Sequence, residues 1–263
     1  MARFLFVVPP LVGHINPAVG LGAELTSRGH EVAWAGHGSL VRALVGSSAT
    51  VFHCDAVEVE RPPELKGPAA LQFLWEQVLI PLADAMAGGV RSALESFEPD
   101  VVVADQQAIA GGLIADQLGL TWVTSATTSA ELTDPLASMP KVAAWLDGLL
   151  GELRGRIAGG VGTADPRFSP HGVLAFTTSE LVGSVDLADR LVWFVGPSIG
   201  ARPASSDFPW EWFEDGTPTV LVSLGTANHD AGRAIPSYCG RGAGRVGREG
   251  PRDRGGSGGR ARC

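Results

Sequence analysis

The chain has 263 residues, 45% of them hydrophobic, and a formal net charge of −8. That is enough apolar material for one large domain or two ordinary ones, and it excludes a chain without a core. The acidic balance argues against a nucleic-acid binder, whose affinity rests on lysine and arginine neutralising phosphates. Three cysteines, Cys54, Cys239 and Cys263, show no CxxC spacing and leave one unpaired. This fits neither a disulfide framework nor a zinc site and points to a reducing compartment, by default the cytoplasm.

The opening "MARFLFVVPPLVG" has a short apolar run, but Pro9-Pro10 break it and no small-residue cleavage site closes it. It reads as a first buried strand over residues 4–8 rather than a signal peptide. No window approaches 18 apolar residues, so no integral membrane segment is expected. Gly13 permits a tight turn, Asn16 reads as a helix N-cap and Pro17 as the first helical residue. Ala18, Leu21, Gly22 and Leu25 keep helical spacing up to Arg28-Gly29. "HEVAWAG" then reads as a second strand, completing a strand–helix–strand unit of an α/β domain.

The alternation continues with a short helix near residues 40–45 and a strand over residues 50–53. A long helical face carrying Leu71, Leu74, Trp75, Val78, Leu82 and Met86 is expected to bend at Pro81. "PDVVVAD" reads as a buried strand, residues 108–118 as a helix ending at Gly119, and "TWVTSAT" as another strand. Residues 137–153 read as helix, and "VLAFTTS" and "LVWFVGP" as late strands. The expected organisation is an N-terminal domain over residues 1–197, a linker over 198–216 and the start of a second domain over 217–232, opened by the strand "TPTVLVSLGT". Residues 233–263 hold 8 Arg and 9 Gly with only Ile235 and Val246 as large aliphatics. Such a segment cannot offset its ordering entropy, and it reads as a disordered basic arm or as GC-rich codons translated out of frame.

Two residues stand out chemically. His14 comes after the first strand where a helix begins, and in open α/β sheets ligands bind at the carboxyl ends of strands. The positive end of a helix disfavours imidazolium, so the ring is expected to be neutral near pH 7, as a general base must be. A loop histidine can equally be a hydrogen-bonded spectator. Asp105 ends "VVVAD" at the same sheet edge, where it either orients that imidazole or caps a helix starting near Gln107. Asp55 and Asp134 are weaker competitors. Trp75, Trp122 and Trp145 are candidates for an aromatic pocket wall, or for core.

The stretch "FVVPPLVGHINPAVGLGAELTSRGHEVAWAG" resembles the N-terminus of bacterial UDP-sugar-dependent glycosyltransferases of the macrolide glycosyltransferase type, within the UDP-glycosyltransferase superfamily. "PDVVVADQQAIAGGLIADQLGLTWV", "VGPS" and "PTVLVSLGT" extend the resemblance to about residue 230. It implies a GT-B fold: two facing Rossmann-like domains, the first binding a small lipophilic acceptor and the second a UDP-sugar donor. It also implies sugar transfer to a hydroxyl with inversion, without a bound metal or cofactor. By resemblance His14 is the base, Asp105 its partner, and Ser223, Gly225 and Thr226 contact the donor diphosphate. Nothing after Asp230 resembles the family's donor domain. The expectation is therefore a truncated chain with little or no turnover, or a non-catalytic acceptor-binding domain. A different Rossmann-type enzyme is the weaker alternative, because no G-x-G-x-x-G succeeds the first strand.

Overall fold

The computed structural model describes residues 1–200 except 60, 61, 63, 64, 163, 164 and 184–189. These residues belong to one compact unit, Met1–Ala204. The second-domain strand, the tail and the donor candidates Ser223, Gly225 and Thr226 lie outside the described residues.

The chain alternates strand and helix from its start: β1 (Arg3–Val7), α1 (Val12–Ser27), β2 (Glu31–Gly36), α2 (Gly38–Val45) and β3 (Thr50–His53). A long helical segment comes next as α3 (Gly67–Phe73), a π-helical stretch (Leu74–Leu79) and α4 (Ile80–Phe97). Then come β4 (Val101–Asp105), α5 (Ile109–Gln117), β5 (Trp122–Ala126), a 3₁₀ turn (Ser129–Thr133) and α6 (Pro140–Ala158). β6 (Val173–Ala175), α7 (Ser179–Val182) and β7 (Val192–Phe194) complete the described elements.

All seven strands are parallel, in the order β3-β2-β1-β4-β5-β6-β7. Side chains alternate between two buried faces, which is why the strands read as unbroken apolar runs. Leu5, Val7, Ala33, Ala35, Val102 and Ala104 pack under α4, α5 and α6. Phe6, Val8, Trp34 and Val103 pack under α1 and α2, through Ile15, Ala18, Val19 and Val41. α5 approaches closely because Gly111 faces the sheet: a Cβ there would lie 3.0 Å from both Ala104 and Val7.

The start of α1 differs from the sequence expectation. The helix begins at Val12, with Leu11 as an N-cap that makes no side-chain cap, so Asn16 and Pro17 lie inside it. Pro17 removes only the bond to the Gly13 carbonyl. Burial of Ile15, Ala18 and Val19 against Phe6, Val8 and Trp34 outweighs that loss. Pro81, where a bend is expected, stands in the first turn of α4 directly after the π-helical stretch, which shifts the hydrogen-bond register where the proline offers no N–H.

Candidate active site

The strand order reverses at β1: the chain runs β1 to β3 in one direction, then resumes with β4 on the other side. Such a switch point leaves a crevice at the carboxyl ends of the two central strands. β1 and β4 pair with Phe4 opposite Val101 and Val7 opposite Ala104. The turn after Val7 and the last residue of β4 therefore meet. His14 sits in the first turn of α1, Asp105 is the last residue of β4, and His14 Nδ1 lies 2.9 Å from Asp105 Oδ1.

Thr127, one residue beyond β5, closes the network. Its Oγ1 lies 2.6 Å from His14 Nδ1 and donates to Asp105 Oδ2 at 2.9 Å. A hydroxyl has one hydrogen, and here the carboxylate takes it, so the Thr127 oxygen is an acceptor toward the ring. Nδ1 therefore carries the proton and forks it between Asp105 and Thr127, which leaves the lone pair on Nε2. The Gln107 N–H also donates to Asp105 Oδ1 at 2.9 Å. Asp105 thus does both things the sequence left open: it ties down the turn before α5 and it orients the imidazole. Its carboxylate is 0% exposed, whereas the His14 side chain retains 14% exposure.

Burial is the largest influence on His14 and lowers its pKa, but the Asp105 hydrogen bond, the Asp105 charge and the Glu131 charge together hold it above 6.5. The ring expected to be neutral from its place at a helix N-terminus instead holds its proton more tightly than a free histidine. A carboxylate in direct contact outweighs the helix end.

A cleft of about 690 Å³ that none of His14, Asp105 and Thr127 lines is walled by Leu71, Leu74, Trp75, Leu132, Leu136, Leu146 and Phe168, with Glu131, Asp134, Arg167 and Arg190. Arg167 is carried by the segment after α6, which is laced onto β5. Ser169 N–H donates to Thr124 Oγ1 at 2.7 Å, and Thr124 Oγ1 donates to the Arg167 carbonyl at 3.2 Å. The guanidinium forks onto Asp165 at 2.9 and 2.7 Å and lies over the rings of Trp75 and Phe168. Burial pushes the Asp165 carboxyl up, but Arg167 more than reverses this and the net direction is down. Glu131 reaches Arg167 only at 3.8 Å. Burial therefore prevails at Glu131 and its pKa is raised, against the pull of Arg167 and Gln106 and helped by the charges of Asp165 and Asp105. Glu131 lines the cleft and acts electrostatically on His14, so it links the two.

Of the residues singled out from sequence, His14 and Asp105 come together and Trp75 lines the cleft. Trp122 is core, its indole donating to Asp116 at 2.8 Å, and Trp145 packs against the core with its indole on Glu76. Asp55 is exposed and pairs with His53 at 3.4 Å. Asp134 is exposed at the cleft, ending the 3₁₀ turn with φ of 46°. Sequence reasoning missed Thr127, Glu131 and Arg167. The available signal was position: Thr127 comes directly after a strand that ends at the same sheet edge as Asp105, and Glu131 lies in the 3₁₀ turn that follows. Among the described residues no group of three His, Cys, Asp or Glu is placed to hold a metal ion. No described helix is long and apolar enough to cross a membrane.

A seven-stranded parallel sheet with a His–Asp pair at its switch point defines a Rossmann-like domain of the GT-B type. The solved structures similar to it bear this out: the glycosyltransferase of kitacinnamycin has a TM-score of 0.57 at 22% identity over 79% of this chain and 54% of that one. The spinosyn forosaminyltransferase gives 0.54 at 22% identity, over 80% of this chain and 54% of that one. No protein-family model matches the chain. Among curated proteins it is 30% identical over 257 residues to demethyllactenocin mycarosyltransferase of Streptomyces fradiae, covering 86% of this chain and 53% of that enzyme. It is 26% identical over 278 residues to 4'-demethylrebeccamycin synthase of Lentzea aerocolonigenes, covering 89% of this chain and 65% of that protein. The chain is thus similar to bacterial natural-product glycosyltransferases. It spans between about half and two thirds of the length of these relatives.

Proposed function

We propose that the described domain is the acceptor-binding half of an inverting, UDP-sugar-dependent glycosyltransferase acting on a small lipophilic molecule. The observation that carries this reading is the His14–Asp105–Thr127 network, linked through the charge of Glu131 to a cleft with apolar and charged walls. With Nδ1 committed to Asp105 and Thr127, Nε2 is the atom free to take a proton from an acceptor hydroxyl. That oxygen attacks the anomeric carbon from the face opposite the nucleoside diphosphate, which leaves with the bonding electron pair. Asp105 keeps the ring in the required tautomer and stabilises the imidazolium as it forms. Apolar walls such as Trp75 and Phe168 fit a lipophilic acceptor and keep water from the reacting oxygen.

The donor side of this reading rests on resemblance, with Ser223, Gly225 and Thr226 as the proposed diphosphate contacts. The described residues supply the acceptor side and the base alone. The companion proposal is that this domain binds acceptor without turnover unless a complete donor half is joined to it. Fusing residues 1–197 to a relative's donor half and assaying UDP-glucose with phenolic and macrolide acceptors tests both. Transfer should appear in the fusion, and His14→Ala should reduce it about 10²–10⁴-fold. An unchanged rate in that variant would remove His14 from the mechanism. Turnover by the 263-residue chain itself would refute the companion proposal.

A further inference from the structure

Folded proteins leave few buried polar atoms without a hydrogen bond, so where the exceptions gather is informative. Among the described residues the unpartnered buried side-chain atoms are Arg3 Nε, Gln106 Nε2, Ser125 Oγ, Glu131 Oε2 and Thr177 Oγ1. Only Arg3 is remote from the carboxyl ends of the central strands. Gln106 comes just after β4, Ser125 stands opposite Asp105 in β5, Glu131 comes after β5 and Thr177 after β6. Glu131 is the one among them that lines the cleft.

Its surroundings leave a specific need. The Glu131 side chain is 16% exposed and its Oε2 accepts no hydrogen bond. Arg167, the cation nearest to it, is 3.8 Å away because its fork is spent on Asp165. Gln106 Oε1 is committed to the Thr128 N–H at 3.1 Å, which fixes the amide. The Gln106 side chain interacts with Glu131 and pulls its pKa down. Glu131 is thus left with an unsatisfied carboxylate oxygen at the cleft wall. A hydroxyl on an apolar scaffold is a group that can donate to that carboxylate.

We propose that Glu131, with Gln106 beside it, is a specificity-determining residue that accepts a hydrogen bond from a second hydroxyl of the acceptor, distinct from the one His14 deprotonates. This rests on the reading of the cleft as the acceptor site. It makes the preferred acceptor an apolar scaffold with two hydroxyls, one reactive and one read.

The test is calorimetric titration of the full chain with 2,7-dihydroxynaphthalene and with 7-methoxy-2-naphthol, which lacks one donor. Wild type should bind the diol about 10–100-fold more tightly, the fold-change for a hydrogen bond to a charged acceptor. Glu131→Leu should bind the two equally. Glu131→Gln, which keeps an acceptor and loses the charge, should retain a preference of a few fold. A preference as large in E131L as in wild type, or none in wild type, overturns the role of Glu131 and leaves the cleft as acceptor site. No binding of either probe by wild type overturns both. Should E131L fail to fold, E131Q decides: an undiminished preference overturns the proposal.

Discussion

Replacing Asp105 separates what its shape does from what its charge does. The carboxylate is 0% exposed and takes bonds at 2.9 Å from the His14 ring, the Thr127 hydroxyl and the Gln107 N–H. Asp105→Ala strands all three donors in a buried site, at a cost of about 3–5 kcal/mol. For a unit of this size each kcal/mol lowers Tm by about 2–4 °C, so a drop of about 6–20 °C is expected. Asp105→Asn keeps an oxygen for His14 and Gln107 and turns an amide toward Thr127. It loses only charge assistance, about 1–2 kcal/mol, and about 2–8 °C. The two variants differ in the opposite sense in what they reveal of the ring. In wild type the two Asp105 contributions, its hydrogen bond and its charge, are what lift His14 above 6.5 against burial; Asp105→Asn keeps an acceptor for the ring but removes the charge. The His14 midpoint should therefore fall in Asp105→Asn, tracked by NMR of the imidazole resonances beside thermal melts. A His14 midpoint that stayed put or rose in this variant, or an Asp105→Ala melt like wild type, would show that Asp105 does not govern the ring.

Other consequences are independent of that network. A Cβ at Gly112 would lie 2.5 Å from the Pro166 carbonyl and 2.8 Å from the Trp122 ring, so Gly112→Ala should destabilise by about 1–3 kcal/mol in denaturant melts. Gly148 and Gly151 in α6 are exposed with nothing near, and Ala at each should stabilise by about 0.5–1 kcal/mol. Because the Glu131 pKa is raised from 4.5 on folding, the folded state binds that proton more tightly than the unfolded chain. Wild type should lose stability as pH rises from 4.5 through the folded value, and Glu131→Gln should remove that loss; parallel pH–stability curves for the two proteins would contradict it. Burial pushes the Cys54 thiol up to about 12, so peptide mapping after iodoacetamide at about pH 8 should find Cys54 labelled only in unfolded protein.

The sheet was legible because a parallel strand buried on both faces must be apolar throughout: "FLFVV" and "VVVAD" admit little else. Helix ends were less so. "NPAVG" is a good local helix start, and it was overridden because beginning at Val12 lets Ile15 join Phe6, Val8 and Trp34. The His14–Asp105 pair was legible through strand-end position, although 91 residues separate them. Thr127 was not, since a threonine after a strand is ordinary until β5 is known to lie beside β4, and it reaches His14 across 113 positions. Arg167 was hidden more deeply. Its place depends on Ser169 and Thr124 fastening an irregular segment to β5, and no periodicity announces such a bond.

The first turn of a helix is an unfavourable place for a ring that must become positive, and burial makes it worse. Those two effects alone would give a neutral ring with little appetite for a proton. Asp105 changes the balance by contact: at 2.9 Å and away from water its charge acts at close range, while a helix end contributes about 0.3–1 kcal/mol. Thr127 then matters because it takes up the second carboxylate oxygen, which would otherwise be free to rotate toward the ring. The resulting imidazole is a stronger base than free histidine but is unprotonated over a narrower range of pH. A rate limited by proton removal should thus rise with pH beyond 6.5, and its midpoint should move with the His14 titration when Asp105 is altered.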